Sequence, residues 1–418
     1  MKKNFYFKVL MAATIFCLPS LKSWAQNIEI ATVADLQGIG IDDDKPLAGS
    51  YVLMNDIDLS SVTDWVPIGM STGHTFNTAG NQLTNFTGTF DGQNHVIKNL
   101  TYSFTGDYDG VAFGNAELTG GLFGRIGNST VKNLELRNFT ITGNCAGALA
   151  AALAPCTVEN VSVIGCTISG GSEVGGLSGR TNNNQQVINN CYVDETTKII
   201  GGTKVGGFIG NIGQAINVTM TNCYTAATME GTGEGAVYGL FGNFDVPGNP
   251  GNSALNAVFV MAQAAEGTTL EPITPDNTKI GIEGSSYFVC SDYFPSVADM
   301  ETVTLAALKE KATYVDAGWD FETIWQIEEG EFPIFQWEDY LTGINVVQAE
   351  PLWNVIAEDN CINVTVSEPS FLSVYEITGK VLFMDKVNSQ VSIPANRGIY
   401  ILKLKDAGKE AVRKIIVK

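Results

Sequence analysis

The sequence predicts an all-β protein whose central part is a parallel β-helix, a solenoid built from stacked β-coils. A glycine-rich block recurs between residues 97 and 260, and an asparagine recurs with it at positions 99, 133, 160, 190 and 222, at intervals of 27 to 34 residues. Repeats of this length are typical of solenoids, because a single repeat cannot bury its own apolar face and must stack on its neighbours.

The spacing of apolar residues within a repeat indicates how each coil is built. In two successive repeats the apolar positions advance by three, two, three and two residues: Val131, Leu134, Leu136, Phe139 and Ile141, then Val158, Val161, Val163, Cys166 and Ile168. A step of two indicates a strand with one buried face, and a step of three indicates a corner. Stacked coils pair each strand with its copies above and below, and a right-handed path is the default for parallel crossovers.

The recurring asparagines are predicted to lie at the first corner of each coil. An asparagine tolerates the bent backbone of a corner, and its side-chain amide can bond to the amide stacked next to it. A row of ligand-binding amides is the alternative, which the pattern favours less. The glycines are interpreted as tight turns and close backbone approaches, because none belongs to a phosphate-binding motif.

These blocks resemble the GLUG-repeat family, which is named for a glycine–leucine–any residue–glycine motif. The blocks stand at residues 120–124, 147–149, 175–179, 206–210 and 239–242, and residues 51–60, 65–69 and 86–100 are similar to the segments that precede such repeats. The block at 146–150 lacks the paired and closing glycines. Its corner is therefore expected to differ from the corners at the other blocks. The resemblance implies a secreted or surface-exposed β-solenoid, often adhesin-like, and no single activity.

Residues 1–25 are predicted to be a signal peptide. Lys2, Lys3 and Lys8 precede an apolar run at 9–18, and Ser23 and Ala25 are small residues that suit cleavage after Ala25. No other apolar run is long enough to span a membrane. Loss of the signal's four lysines leaves 20 basic and 44 acidic residues, a net charge of −24. This charge disfavours nucleic acid and anionic membranes as partners.

The mature chain is predicted to contain five segments, in the following order. They are an N-terminal cap with lead-in strands at 26–96, the repeats at 97–260, a tryptophan-rich cap at 261–340, a linker at 341–350 and a small β-sandwich at 351–418. Short helices are expected at 32–36, which has capping-box spacing, and at 304–311. Trp319, Trp325 and Trp337 are predicted to close the second end of the solenoid, with a sugar-stacking platform as the alternative.

The C-terminal segment resembles the C-terminal sorting domain of the type IX secretion system of Gram-negative bacteria. The resemblance rests on residues 374–381, a Gly–Ile–Tyr block at 398–404 and a lysine-flanked terminal strand at 414–418. It implies that this domain directs passage across the outer membrane and is removed where the protein is anchored. The secretion machinery is then one partner, and the location is the cell surface or the medium.

Seven cysteines remain after the signal peptide, and those in the repeats are predicted to be free, buried thiols. Cys191 and Cys223 take the inner position that Val161 holds in its own coil. Side chains stacked in register point the same way and seldom reach disulfide torsions. Metal binding is not expected, because no Cys-x-x-Cys motif occurs.

No catalytic, cofactor-binding or metal-binding residue is predicted. The two histidines, His74 and His95, belong to no zinc-protease motif, and no nucleophile elbow occurs. Acidic residues at 42–44, 56 and 58 offer oxygen ligands for calcium, but a solvated loop is favoured because no calcium-loop motif is present. Glu159 is expected to stack on Lys132 as a surface charge pair.

Two functions remain open at this point. The favoured one is a secreted or cell-surface, adhesin-like interaction protein whose ligand is a glycan or a host or bacterial protein, with the loops at 182–186 and 244–252 as its contact surface. The alternative is a carbohydrate-active β-helix enzyme, a polysaccharide lyase or glycosidase. Such an enzyme needs convergent carboxylates, and the closest pairs are Asp107 with Asp109 and Asp194 with Glu195.

Overall fold

The computed structural model describes residues 27–70, 85–103, 120–182, 185–213, 217–233, 237–243, 253–274, 286–295, 300–339, 353–358, 360–366, 369–377, 380–406 and 409–417. The chain forms two compact units that divide between Trp337 and Glu338. The first is a parallel β-solenoid and the second is a small antiparallel β domain, so the predicted fold class is confirmed. The signal peptide, the linker, His74, Asp107, Asp109 and residues 244–252 lie outside the described residues.

Four parallel sheets run along the solenoid, each made by stacking equivalent strands of successive coils. Sheet 1 contains Ile28–Ile30, Ser50–Leu53, Ile57–Asp58, Thr89–Lys98, Ser129–Arg137, Cys156–Ile164, Gln186–Asn189, Tyr192–Val193, Val218–Thr221, Tyr224–Thr225, Ala254–Val260, Ser286–Cys290 and Glu301–Val303. Sheet 2 contains Thr101–Ser103, Thr140–Thr142, Thr167–Gly170, Lys198–Gly201, Thr228–Gly231 and Gln263–Ala264.

The two shorter sheets carry the glycine blocks between them. Sheet 3 contains Cys145–Ala146, Glu173–Gly175, Lys204–Gly206, Val237–Tyr238 and Leu270–Glu271. Sheet 4 contains Phe123–Ile126, Ala150–Leu153, Ser178–Thr181 and Ile209–Ile212. The block at 146–150 keeps the common path, because its strand pairs in register with both neighbours in sheet 4. Glycine at position 147 allows this path, because the Cβ of any other residue there would lie 2.4 Å from the backbone of Ser178.

The interior of the solenoid is filled by the predicted columns of apolar side chains. Leu134 pairs with Val161 in the sheet register, and both are fully buried in one continuous core. Cys191 and Cys223 continue this column, also fully buried, and the amide of Cys191 donates to the sulfur of Cys223 at 3.4 Å. No disulfide joins the seven cysteines of the described chain, so the prediction of free thiols at Cys191 and Cys223 is confirmed.

The corner asparagines form the predicted ladder. Asn133, Asn160, Asn190 and Asn222 have φ values of 50° to 53°, in the left-handed region that asparagine tolerates. The side-chain amide of Asn160 donates to Asn133 at 2.8 Å, that of Asn190 to Asn160 at 3.0 Å, and that of Asn222 to Asn190 at 3.3 Å. The amides therefore bond to one another along the stack, which favours the structural interpretation over a row of ligand-binding groups.

The placement of Asn99 in this ladder was wrong. Ile97 pairs with Leu136, and the amide of Asn99 donates to the carbonyl of Arg137, so Asn99 lies at the second corner of its coil. Asp91, which pairs with Lys132, instead supplies the oxygen at the end of the ladder and accepts from the Asn133 side-chain amide at 3.0 Å. The cause is a bulge, since two more residues separate Asp91 from His95 than separate their partners in the next coil.

Trp319 and Trp325 pack on the outer flank of the solenoid, so the prediction that these two residues close its open end is wrong. In strand Ala254–Val260 the side chains of Val258 and Val260 belong to the interior core, whereas Phe259 between them packs with Trp319 and Trp325. Tyr192 and Tyr224 stack in the same outward column as Phe259. Trp319 and Trp325 are buried against this column, so neither presents a free face for sugar stacking.

The helices are short and lie at the ends of the solenoid sequence. Val33–Gln37 begins with the predicted capping box, in which Thr32 accepts from the amide of Asp35 and Asp35 accepts from the amide of Thr32. The predicted helix at 304–311 is only a 3₁₀ turn, Ala307–Lys309, and a separate α-helix follows at Lys311–Asp316. Glu310 between them is extended (φ −112°, ψ 130°), which interrupts the helix. Strands Trp325–Gln326 and Ile334–Phe335 form a two-stranded antiparallel sheet.

The C-terminal unit consists of two antiparallel sheets around one apolar core. One contains Trp353–Glu358, Cys361–Val366 and Gln390–Pro394, and the other contains Ser370–Glu376, Val381–Val387, Gly398–Asp406 and Lys409–Val417. Ile362, Leu372 and Leu402 are fully buried between them. This arrangement is the small β-sandwich that the alternating pattern predicted.

Candidate ligand groove

A groove runs along the surface of the solenoid where sheet 4 leads into sheet 1. It consists of two depressions of about 280 and 490 Å³ that share Asn128 and Ser129. The lining residues are Ala48, Gly49, Ser50, Thr87, Gly88, Thr89, Asn128, Ser129, Thr130, Pro155, Cys156, Thr157, Gln185, Gln186, Val187, Asn217 and Thr219. They come from successive coils, so the groove crosses the strands.

One wall of the groove is a column of side chains at equivalent positions. The sheet register stacks them in this order: Ser50, Thr89, Thr130, Thr157, Val187 and Thr219. All six are partly exposed. Because neighbouring strands lie about 4.8 Å apart, the wall presents hydroxyl groups at a regular spacing, with one interruption at Val187.

Beneath the wall, on the interior face of the same strands, lies a buried hydroxyl group. Ser129 is 8% exposed and lines both depressions, and its Oγ has no hydrogen-bond partner within the part of the chain that the structure describes. Cys156 pairs with Ser129 in the register and is also buried. Burial raises the pKa of the Cys156 thiol to about 12, so it stays protonated at neutral pH and cannot act as a thiolate nucleophile.

The second wall is formed by the turns that precede sheet 1. Asn128 and Gln185 there have φ values of 54° and 75°. The Gln186 side-chain amide donates to the carbonyl oxygens of Asn182 at 3.1 Å and of Leu153 at 3.4 Å, which holds the turn against the coil. Of the two loops expected to form the contact surface, the described part of 182–186 therefore does contribute to the groove.

The groove is electrically neutral although the chain carries a net charge of −20. Among the described residues that line it, none is charged. The nearest charged column lies two residues farther along the strands, where Asp91, Lys132 and Glu159 stack in register. Glu159 lies beside Lys132 as expected, but the Lys132 ammonium forms its ion pair with Asp91 at 3.3 Å.

Of the carboxylates considered for an enzyme, the structure describes Asp194 and Glu195, and these two are not assembled into a site. Asp194 accepts hydrogen bonds from the Gly165 amide at 3.1 Å, from the Thr197 hydroxyl at 2.6 Å and from the Thr196 hydroxyl. These bonds tie one corner to the next, so Asp194 has a structural role. Its neighbour Glu195 is exposed at the surface.

Three of the acidic residues considered for calcium have other partners. Asp42 forms an ion pair with Lys45 at 2.8 Å, Asp56 bonds to His95 at 3.1 Å, and Asp58 accepts from Asn99 at 3.0 Å. Across the described ranges, no group of three or more His, Cys, Asp or Glu side chains is arranged to hold a metal ion.

The structure also contains a buried ionic cluster that the sequence analysis missed. Glu173 is 2% exposed and accepts from Asn211 at 2.6 Å, with Arg180 and Lys204 each 3.3 Å away. Glu173 lies in sheet 3 and Arg180 in sheet 4, so the cluster ties the two strands that flank one glycine block. The sequence does contain opposite charges on either side of residues 175–179, but only the folded coil shows that they lie next to each other.

Comparisons with known proteins agree with export. Residues 358–418 match the family model of the secretion system C-terminal sorting domain, which confirms that resemblance. The chain is therefore a secreted or cell-surface protein, and this domain interacts with the secretion machinery. No helix in the described ranges is long and apolar enough to cross a membrane.

Three further similarities cover only part of the chain or have low identity. The chain is 35% identical over 159 residues to Halomucin of Haloquadratum walsbyi, a match that covers 37% of this chain and 2% of that protein. The chain thus spans about 2% of the length of the curated relative it matches. A Bacteroides ovatus structure provisionally named an immunoglobulin A1 protease matches with TM-score 0.45 and 18% identity over 76% of this chain and 94% of that one. A structure named IgA1 protease matches with TM-score 0.44 and 14% identity over 92% and 34%.

Proposed function

We propose that this chain is an exported, adhesin-like β-solenoid of the GLUG-repeat type that binds a ligand along the groove and catalyses no reaction. The observation that carries the proposal is the groove itself, which crosses several coils and is lined by hydroxyl and amide groups without a charged residue. A long polar surface of this kind suits contact over an area. Catalysis instead needs convergent acid and base groups, whereas of the described candidate carboxylates Asp194 supports a corner and Glu195 is exposed beside it.

Export is proposed to use the signal peptide, cleaved after Ala25, and then the type IX pathway. Deletion of residues 345–418 should leave a folded solenoid that stays inside the cell, in the periplasm, because the sorting domain lies within the deleted segment. Surface labelling and periplasmic fractionation measure this, with the full chain as control. Surface display of the truncated chain at the normal level would contradict the proposal.

Binding is tested by placing a charge in the groove of the full chain. Thr157→Lys puts an ammonium group in the neutral wall, whereas Thr167→Lys makes the same change at an equally half-buried, outward position of sheet 2. On arrays of glycans and of host and bacterial proteins, Thr157→Lys should lose the ligand that the unaltered protein and Thr167→Lys retain. Equal binding by both variants would show that the groove is not the contact site.

The enzymatic alternative is tested with the same protein. Incubation with neutral and acidic polysaccharides should release no new reducing ends and no unsaturated sugars. Turnover that is lost in Asp194→Asn or Glu195→Gln would overturn the proposal and favour a carbohydrate-active enzyme.

A further inference from the structure

We infer that the ligand of the groove is a neutral polysaccharide whose chain lies parallel to the solenoid axis and meets one wall position per coil, a hydroxyl group at every position but Val187. The inference rests on the proposed function, since it presumes that the groove binds. It names the chemical class of the ligand and its direction on the protein.

The direction follows from the register of sheet 1. Thr89, Thr130 and Thr157 are direct partners in neighbouring strands, so a line through them runs along the axis and across the strands. Each step along this line is one strand spacing, about 4.8 Å. A ligand that contacts every wall position must therefore be extended and must repeat its chemistry along its length, as an unbranched polymer does.

The neutrality of the ligand follows from the lining groups. Hydroxyl and amide side chains both donate and accept hydrogen bonds, which matches the hydroxyl groups of a sugar. A charged group brought into the groove would lose water and would gain no counter-charge from the lining residues. The negative charge of the whole chain also repels polyanions.

A peptide strand is disfavoured because the groove offers no strand edge. The amide of Thr89 already donates to Gly49, that of Thr130 to Gly88 and that of Cys156 to Gln185. Binding of an extended peptide by strand addition needs unpaired backbone groups. Recognition in this groove must instead use side chains, and those of the wall are mostly hydroxyls.

The test measures binding of the full chain to defined polymers by isothermal titration calorimetry. The probes are unbranched neutral glucans and mannans of increasing length, polygalacturonate and heparin as acidic polymers, and an uncharged Ser/Thr-rich peptide. Affinity for a neutral glycan should rise with its length as more coils are engaged. Thr157→Lys should weaken this binding by at least about tenfold, and Thr167→Lys should leave it unchanged.

The outcomes separate the inference from the proposed function. If an acidic polymer or the peptide binds and Thr157→Lys abolishes that binding while the neutral glycans do not bind, the groove is a binding site and the inference is wrong. If a neutral glycan binds equally well to Thr157→Lys and to the unaltered chain, the site lies elsewhere and both fail. Lack of binding to every neutral polymer also overturns the inference. Thermal unfolding of both variants controls for loss of structure.

Discussion

Replacing Asn160 tests whether the corner ladder stabilises the solenoid through its side chains, its backbone conformation, or both. Asn160 donates to Asn133 at 2.8 Å and accepts from Asn190 at 3.0 Å, and its φ is 53°. Asn160→Ala removes both hydrogen bonds and also places a β-carbon in the left-handed region. Asn160→Gly removes the same hydrogen bonds without the steric penalty, so the pair of variants separates the two contributions.

The expected magnitudes follow from these contacts. Each side-chain hydrogen bond contributes about 1 kcal/mol net, so the loss of two should cost about 2 kcal/mol in either variant. A non-glycine residue in the left-handed region costs about 1–2 kcal/mol, which applies to alanine alone. The free energy of unfolding should therefore fall by about 2 kcal/mol in Asn160→Gly and by about 3–4 kcal/mol in Asn160→Ala.

Urea unfolding of the full chain measures this difference. Fluorescence of Trp319 and Trp325 reports on the solenoid, because both pack against its outer flank, and circular dichroism provides a second probe. A glycine variant less stable than the alanine variant would refute the account of the backbone. Two variants as stable as the unaltered chain would refute a stabilising role for the ladder.

Three further changes test the core, a buried phenol and the ionic cluster. Val161→Asp should prevent folding of the solenoid, because an unpaired carboxylate in the fully buried inner column costs several kcal/mol; a normal thermal unfolding curve would refute the register. Burial raises the pKa of Tyr51 from 10.0 to about 12. As the pH rises, the unfolded chain therefore loses the Tyr51 proton before the folded chain does. The free energy of unfolding should then fall between pH 10 and pH 12 more steeply than in Tyr51→Phe. Parallel curves of unfolding free energy against pH for the two proteins would contradict this. Glu173→Gln should cost about 3–5 kcal/mol because it leaves Arg180 buried without a counter-ion, whereas the surface change Glu159→Gln should cost under about 1 kcal/mol. An equal loss of unfolding free energy in the two variants would show that the ionic cluster does not stabilise the solenoid.

Much of the fold could be predicted from the sequence because the pattern of one coil is dictated by local backbone geometry. The alternation within a strand and the three-residue steps at corners placed Leu134, Val161 and Cys191 in one interior column, as the structure has them. The capping box at Thr32 and the strands of the C-terminal domain depend on equally local rules. The C-terminal sorting motif could be recognised because its residues lie close together in the chain.

The same local rules failed where the outcome depends on which segments meet. The spacing of Asn99 matched the ladder, but a bulge before His95 shifted the register and moved Asn99 to the second corner. Outward positions such as Tyr192 and Phe259 fit strand alternation whether water or another segment covers them. Only the path of the later chain shows that Trp319 and Trp325 cover them.

The candidate site shows this limit most clearly. The sequence by itself determined the coil, the interior columns and the export domain, since these depend on periods and motifs read along the chain. Tertiary structure alone decided the groove, because Thr89, Ser129 and Thr157 are far apart in sequence and become neighbours only when coils stack. It also decided that Glu173 and Arg180 meet and that the groove wall holds no charge. Each of these depends on contacts between different strands, and the period of a single strand does not specify them.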